Sequence, residues 1–263
     1  MSRFIALVKR EWIIGRRDLV IYAAVIILVL LGNETLQSII ARYAGTPFPQ
    51  EVYGTLFPPF LFVGGIIITV ALFADDLFKK ENQHTFLMLP ATNGEKFLSK
   101  SLLAMVAYPV VLTVFFVLSS LVIEPSLYLI FKNPAAIFNP FAMPAFFTLI
   151  ARYWVINSIF VLGSTLFRKM ALVKTALAFT IVVLLSVAIG FLFLRLFVTI
   201  RMGRGIGLFE ALARVERERL DAMMGAIQTW KVAGQLLNYL IIPIVLQITA
   251  YFRLTEVEAT DAV

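Results

Sequence analysis

Long apolar runs, separated by short polar and charged stretches, dominate this chain. Six of them approach or exceed the roughly 20 residues that an α-helix needs to cross a bilayer. The first opens at Leu19 with an apolar run to Leu31, and its helix is expected to continue through Asn33 and Glu34 toward Ile40. The others are expected at Leu56 to Phe73, Leu102 to Ile123, Pro144 to Phe167, Ala176 to Ile200 and Ala233 to Phe252. A spanning segment must satisfy its own main-chain hydrogen bonds, so an open chain crosses as helices. The runs are rich in phenylalanine and do not alternate, which argues against a transmembrane barrel. Gly32-Asn33-Glu34 offers no small-x-small cleavage site after the first run, so that run reads as a retained span. The expected fold is all-α integral membrane, one domain over residues 1–263 with six transmembrane helices.

Two stretches outside the spans have helical character. In Ser2 to Arg17, Phe4, Leu7, Val8 and Trp12 mix with Lys9, Arg10, Arg16 and Arg17. Such a segment can lie in the membrane interface with its basic side toward anionic headgroups. That reading is preferred over a plain extension of the first span. Gly207 to Trp230, within an outer segment at 201–232, carries two apolar stripes that are out of phase around Glu216-Arg217-Glu218-Arg219. It reads as two short amphipathic helices or one bent one, serving as a lid or as a packed cap.

Composition agrees with the pattern. Of the 263 residues, 60% are hydrophobic and only 15% charged, and the mean hydropathy is +0.91. A water-soluble fold could not cover that much apolar surface with so few charges. Net charge is +7, and its distribution sets orientation. Thirteen Lys and Arg fall on the side of the termini and eight on the other, with Arg152 and Arg195 inside spans. The bias predicts a multi-pass protein of the plasma (inner) membrane with both termini cytoplasmic.

Candidate chemistry is sparse. There is no cysteine, and His84 is the single histidine, which excludes thiolate sites and histidine clusters. No G-x-x-x-x-G-K-[ST] phosphate loop, H-E-x-x-H or G-x-S-x-G motif occurs. Asp75 and Asp76 are adjacent, point about 100° apart on a helix, and suit a solvated helix end better than a metal pair. Polar residues within spans are weighed individually, because charge in hydrocarbon is costly and marks function. Arg152, Asn157 and Asn238 are the candidates for an intramembrane polar pathway. Arg152 equally suits snorkelling to the interface beside Tyr153 and Trp154. Tyr153, Asn157 and Ser164 share a face, as do Gln235 and Asn238, and such stripes more often join helices than line a path. Gly64-Gly65 would permit close helix contact. Glu34 and Glu124 lie near span ends and are expected at the interface.

The segment between the second and third spans, residues 74–101, is the most informative. A short helix ending at Pro90 is expected there, followed by a helix capped by Thr92 or Asn93. Phe86-Leu87-Met88-Leu89 forms an apolar cluster between charged stretches, and an apolar patch outside the bilayer calls for a partner. The layout resembles the permease subunits of type-2 ATP-binding-cassette (ABC) transporters. The resemblance rests on Leu7-Val8-Lys9-Arg10-Glu11 at the start, and on Glu81, Thr85, Leu87, Leu89-Pro90, Ala91-Thr92 and Lys100 in this segment. It is sharp over Glu81 to Lys100 and otherwise topological. His84 stands where glycine is common in that family, and Asn93 where arginine is common.

The resemblance implies a mechanism. Two permease chains would pair, the same or different, each docking on a separate ATPase subunit through a coupling helix. Glu81, His84, Thr85, Phe86, Leu87, Met88, Leu89 and Pro90 would form that contact. Residues 1–17 would be the elbow helix. ATP and Mg²⁺ would sit on the partner ATPase, with no cofactor and no catalysis on this chain, and membrane lipids but no nucleic acid as further partners. The expected activity is export of a substrate that the sequence does not name. The competing expectations are a membrane scaffold recruiting another cytoplasmic partner through the same loop, and a secondary transporter or membrane enzyme, which would need buried carboxylates or a catalytic cluster, neither of which the spans show clearly.

Overall fold

The computed structural model describes residues 2–44, 52–78, 91–132, 137–143, 146–167, 169–202, 234–235 and 237–261. Among them every extended element is helical. The helices are α1 (Ser2–Ala44), α2 (Val52–Pro59), α3 (Gly65–Phe78), α4 (Asn93–Leu102), α5 (Tyr108–Phe131), α6 (Phe146–Leu166), α7 (Ala171–Met202) and α8 (Ile242–Asp261). Three π-helical segments, Phe60–Gly64, Leu103–Ala107 and Leu237–Ile241, join α2 to α3, join α4 to α5 and lead into α8. A 3₁₀ turn spans Pro140–Ala142.

Six stretches are long and apolar enough to cross a membrane: Gly15–Ala44, Val52–Ala74, Asn93–Phe131, Phe146–Leu166, Ala171–Phe193 and Leu237–Glu256. They coincide with the six runs expected from hydropathy, and the chain is a multi-pass helical membrane protein on that basis. The start differs in detail. The separate interfacial helix expected at residues 1–17 is, from Ser2 on, continuous with the first span. The 43 residues of α1 would extend about 65 Å at 1.5 Å per residue, about twice the hydrocarbon thickness. No proline interrupts it, and Gly15 and Gly32 are tolerated within it. Its first turns bury Leu7 and Glu11, and α1 packs on α4. The outer segment at 201–232 lies outside the described residues from residue 203 on.

Two clusters organise the interior. The larger joins Ile26 and Leu30 of α1, Tyr53, Phe57 and Leu61 of the second span, Leu112 and Phe116 of α5, Phe138 and Tyr153. Aromatic edges knit it: Phe57 meets Phe116 at 5.3 Å between ring centroids, and Phe138 packs 5.4 Å from Phe57. The smaller gathers Phe73, Phe97, Val161, Ala250 and Leu254 at the end of the bundle where α4 begins. Helix α7 stands apart. It is held at its start, where Thr175 seats against Gly163, and every residue from Thr180 to Phe193 is exposed. Its side chains are apolar all round, which suits lipid or another membrane chain.

Candidate functional site

The end of the bundle that carries Phe78 and Ala91 is built as a rigid platform. Thr92 caps α4: its hydroxyl accepts from the Glu95 amide at 3.3 Å, while the Glu95 carboxylate accepts from the Thr92 amide at 3.0 Å. This reciprocal box satisfies helix-end donors that would otherwise be orphaned. Along α4, Lys100 is buried, and its ammonium donates to the main-chain oxygen of Leu72 on α3. The ammonium also lies 5.9 Å from the centre of the Phe73 ring, within cation–π range. Phe97 is the hinge of an aromatic row, 5.6 Å from Phe73 and 5.7 Å from Tyr251 of α8. Ser101 donates to Gln247 at 3.1 Å. α3, α4 and α8 are thereby cross-tied where the 79–90 segment leaves and returns. The coupling residues named from the sequence, Glu81, His84, Thr85, Phe86, Leu87, Met88, Leu89 and Pro90, lie outside the described residues; their anchors lie within them.

Deeper in the bundle, the first two π segments meet a layer of tyrosines. A π turn loosens the regular ladder and lets side chains reach main-chain carbonyls. Tyr22 and Tyr108 both donate to the Phe60 oxygen, at 3.0 and 2.5 Å, and their hydroxyls are 3.0 Å apart. Tyr153 and the Asn157 amide donate to the Ala104 oxygen, and Trp154 donates to the Met105 oxygen at 2.9 Å. Thr69 donates to Asn157 at 2.7 Å. Gly64 and Gly65 make the layer possible. A Cβ at Gly64 would fall 1.8 Å from the Tyr22 oxygen, and one at Gly65 would fall 2.4 Å from the Tyr153 ring. The close contact expected of these glycines is therefore contact with tyrosine rings.

Beside this layer lies a cavity of about 430 Å³ between α1, α3 and the start of α5. Its wall is almost wholly apolar, with Ile67, Ile68, Leu103 and Val111 among its lining; Tyr22 and Tyr108 add polar tips, and Glu11 and Asp18 also border it. Glu11 pairs with Arg10 at 2.7 Å. A volume of this size suits an apolar tail or a small amphiphile. Nothing here resembles a nucleophile with its base, and among the described residues no group of three acidic or imidazole side chains converges on one point.

The three pathway candidates part company. Asn157 is fully buried and joins helices through Thr69 and Ala104. Arg152 is exposed, its Nε donating to Tyr239 at 3.4 Å, and Asn238 is exposed. The structure does not gather them into one lining. The reading of the Tyr153, Asn157 and Ser164 stripe as an internal packing face agrees with their burial. Glu34 and Glu124, expected at the interface, lie toward the ends of their spans, Gly15–Ala44 and Asn93–Phe131. Both are buried, at 1% and 4% exposure, facing inward among α1, α2 and α5. Hydropathy alone put them at span ends and could not say which way they face. The tyrosine layer was missed; its one sequence signal was three mid-span tyrosines in spans that also flank a Gly-Gly pair. Comparison with protein families, characterised proteins and solved structures finds no match to this chain.

Proposed function

We propose that this chain is the membrane-spanning permease subunit of an ABC transporter, working with a separate ATPase. The observation that carries the reading is the cross-tied platform of Lys100, Phe73, Phe97 and Tyr251 on the helices that the 79–90 segment connects. A docking helix transmits force only if its base does not yield. This base is an aromatic row, a capping box and a buried lysine shared among three helices. The apolar Phe86–Leu89 cluster then supplies the contact to the ATPase, and closure of the ATPase pair moves α3 and α4 together. Coupling would arise because that contact differs between the two states of the complex. The uncovered length of α7 offers a surface for the second permease chain. The tyrosine layer and its adjoining cavity lie in the spans that such a movement would shift, so an amphiphilic cargo fits the reading. Both termini then face the cytoplasm, in the plasma membrane.

The test is to purify the tagged chain from native membranes in mild detergent and assay ATP hydrolysis in what comes with it. An ATPase partner with vanadate-sensitive turnover is expected, and Leu87→Asp with Leu89→Asp should lose stimulation while membrane insertion stays normal. A partner-free chain, or normal transport in the double variant, would defeat the proposal. The buried carboxylates favour one second reading, an ion-driven carrier, which predicts transport that persists without any ATPase.

A further inference from the structure

We propose that the cavity between α1, α3 and the start of α5 is a binding groove for one membrane phospholipid, which lays an acyl chain along it and sets its phosphate at a basic rim on α1. The groove begins at Glu11 and Trp12 and follows one face of α1 through Gly15, Leu19 and Tyr22 to Val25. The stretch of α1 apolar enough to cross a membrane starts at Gly15. From Gly15 to Val25 the helix rises about 15 Å at about 1.5 Å per residue, which is half of a hydrocarbon core about 30 Å thick. The groove is therefore as deep as one leaflet, the depth that one acyl chain fills. Its volume of about 430 Å³ and its almost wholly apolar wall suit a hydrocarbon chain. The deep end asks for no polar group from a ligand, because Tyr22 and Tyr108 already bond each other and the Phe60 carbonyl there. Trp12, Ile21, Ile67 and Val111 are half exposed along it, so the groove opens sideways and a lipid enters from the bilayer without crossing water.

The charges at the shallow end name the headgroup chemistry. On a helix turning about 100° per residue, Lys9 and Arg16 fall on one edge of the groove face of α1, and Arg10 and Arg17 on the other. Lys9, Arg16 and Arg17 are exposed, and Arg10 is half-buried against Glu11 at 2.7 Å. Against these four cations stand two carboxylates on the groove wall, Glu11 and Asp18, so the mouth is net positive. It lies where the apolar stretch begins, the level at which lipid phosphates meet a membrane helix and at which Lys and Arg attract anionic lipids. Trp12 borders the mouth at the same level, the place of an aromatic belt residue. A free fatty amine would match Asp18 but meet four cations, and an uncharged lipid would leave the rim without a partner. A phospholipid with net negative charge meets both the apolar groove and the positive mouth. The inference rests on the groove and its rim, and holds whether or not an ATPase drives the chain.

Gly15 supplies the test, because it lines the groove and a Cβ built there meets nothing within 4 Å. Gly15→Leu therefore fills the groove without a clash and improves the helix propensity of α1, so the chain should fold. The full-length protein is purified in a neutral detergent, and uptake of dioleoyl phosphatidylglycerol is counted by native mass spectrometry. One tightly held lipid per chain is expected above the loosely held background. Gly15→Leu should weaken that binding about tenfold or more, since displacing as few as two methylenes from the groove has that effect. Ala71→Phe, which fills the groove from the α3 wall, should do the same and gives a second reading if Gly15→Leu does not fold. Arg16→Gln with Arg17→Gln should raise the half-saturating lipid concentration several-fold and leave the weaker binding of phosphatidylcholine nearly unchanged. Equal lipid retention in the unsubstituted protein and both filled variants would assign the lipid to the general annulus and overturn the proposal. Equal uptake of phosphatidylglycerol and uncharged dioleoylglycerol would take the phosphate out of the site and overturn it as well.

Discussion

At the middle of the bundle, Tyr22, Tyr108, Tyr153 and Asn157 each have an acceptor or donor across a helix boundary. At the far end, Glu34 and Tyr53 are enclosed as completely and have none. The first region uses buried polarity as glue: the π turns offer carbonyls, the glycines give room, and the phenols fill both needs. The second holds polarity in an incomplete state. Natural bundles rarely leave such groups unsatisfied, and in a membrane they mark sites of function. The contrast separates buried polarity that joins helices from buried polarity that makes no hydrogen bond. It also predicts opposite signs: polar deletions at the middle should destabilise, and charge deletion at the far end should not.

The largest effect is expected at the glycines. Gly65→Leu would drive a side chain into the Tyr153 ring, where even a Cβ lies within 2.4 Å. Overpacking of this kind costs about 1–3 kcal/mol and occasionally more, so fluorescence-detected size exclusion in detergent should show little monodisperse protein. Glu34→Leu tests the other arm of the comparison. Replacing an unpartnered buried carboxylate with a packed apolar side chain should be neutral or stabilising by about 1–4 kcal/mol, so Tm should hold or rise. A large fall would mean that Glu34 is structural glue after all.

A double-mutant cycle sharpens the middle region. Tyr22 and Tyr108 share the Phe60 carbonyl, so Tyr22→Phe or Tyr108→Phe alone leaves one donor in place and should cost about 1 kcal/mol or less. Together they strand a carbonyl inside the bundle, and the pair should cost more than the sum by about 0.5–3 kcal/mol. Strict additivity, read from thermal or denaturant unfolding of the four proteins, would show that the carbonyl is satisfied in some other way.

The six spans were legible because a crossing helix announces itself by length and hydropathy, and nothing in tertiary packing can override that need. The cap was legible only as Thr92 or Asn93; the structure gives Thr92, and Glu95 three residues on completes its capping box. Orientation about the helix axis was less legible. Glu34 and Asn238 both looked like polar residues in or near spans, yet one is buried and the other is exposed. Periodicity could not separate them, since a lipid-facing surface is as apolar as a buried one. The π turns were illegible for a related reason: Phe60–Gly64 and Leu103–Ala107 are as apolar as their flanks, and only the tyrosines that reach them reveal the break. The continuity of α1 was open in the sequence, because the basic stretch at Lys9 to Arg17 holds no proline and Gly15 alone does not stop a helix.

The smallest expected effect bears on coupling. Thr92→Ala removes one half of the capping box, a loss worth about 1 kcal/mol, and global Tm should move by only a few degrees. The position of that loss matters more than its size. Thr92 fixes the first turn of α4, and Lys100 and Phe97 on the same helix carry the cross-ties to α3 and α8. If the platform transmits force from the 79–90 segment, loosening its first turn should lower transport per ATP hydrolysed while ATP turnover by the partner persists. Thr92→Ser keeps the capping oxygen and should restore the ratio. A Thr92→Ala protein with unchanged stoichiometry would place force transmission elsewhere, and the platform would then be only the seam that closes this end of the bundle.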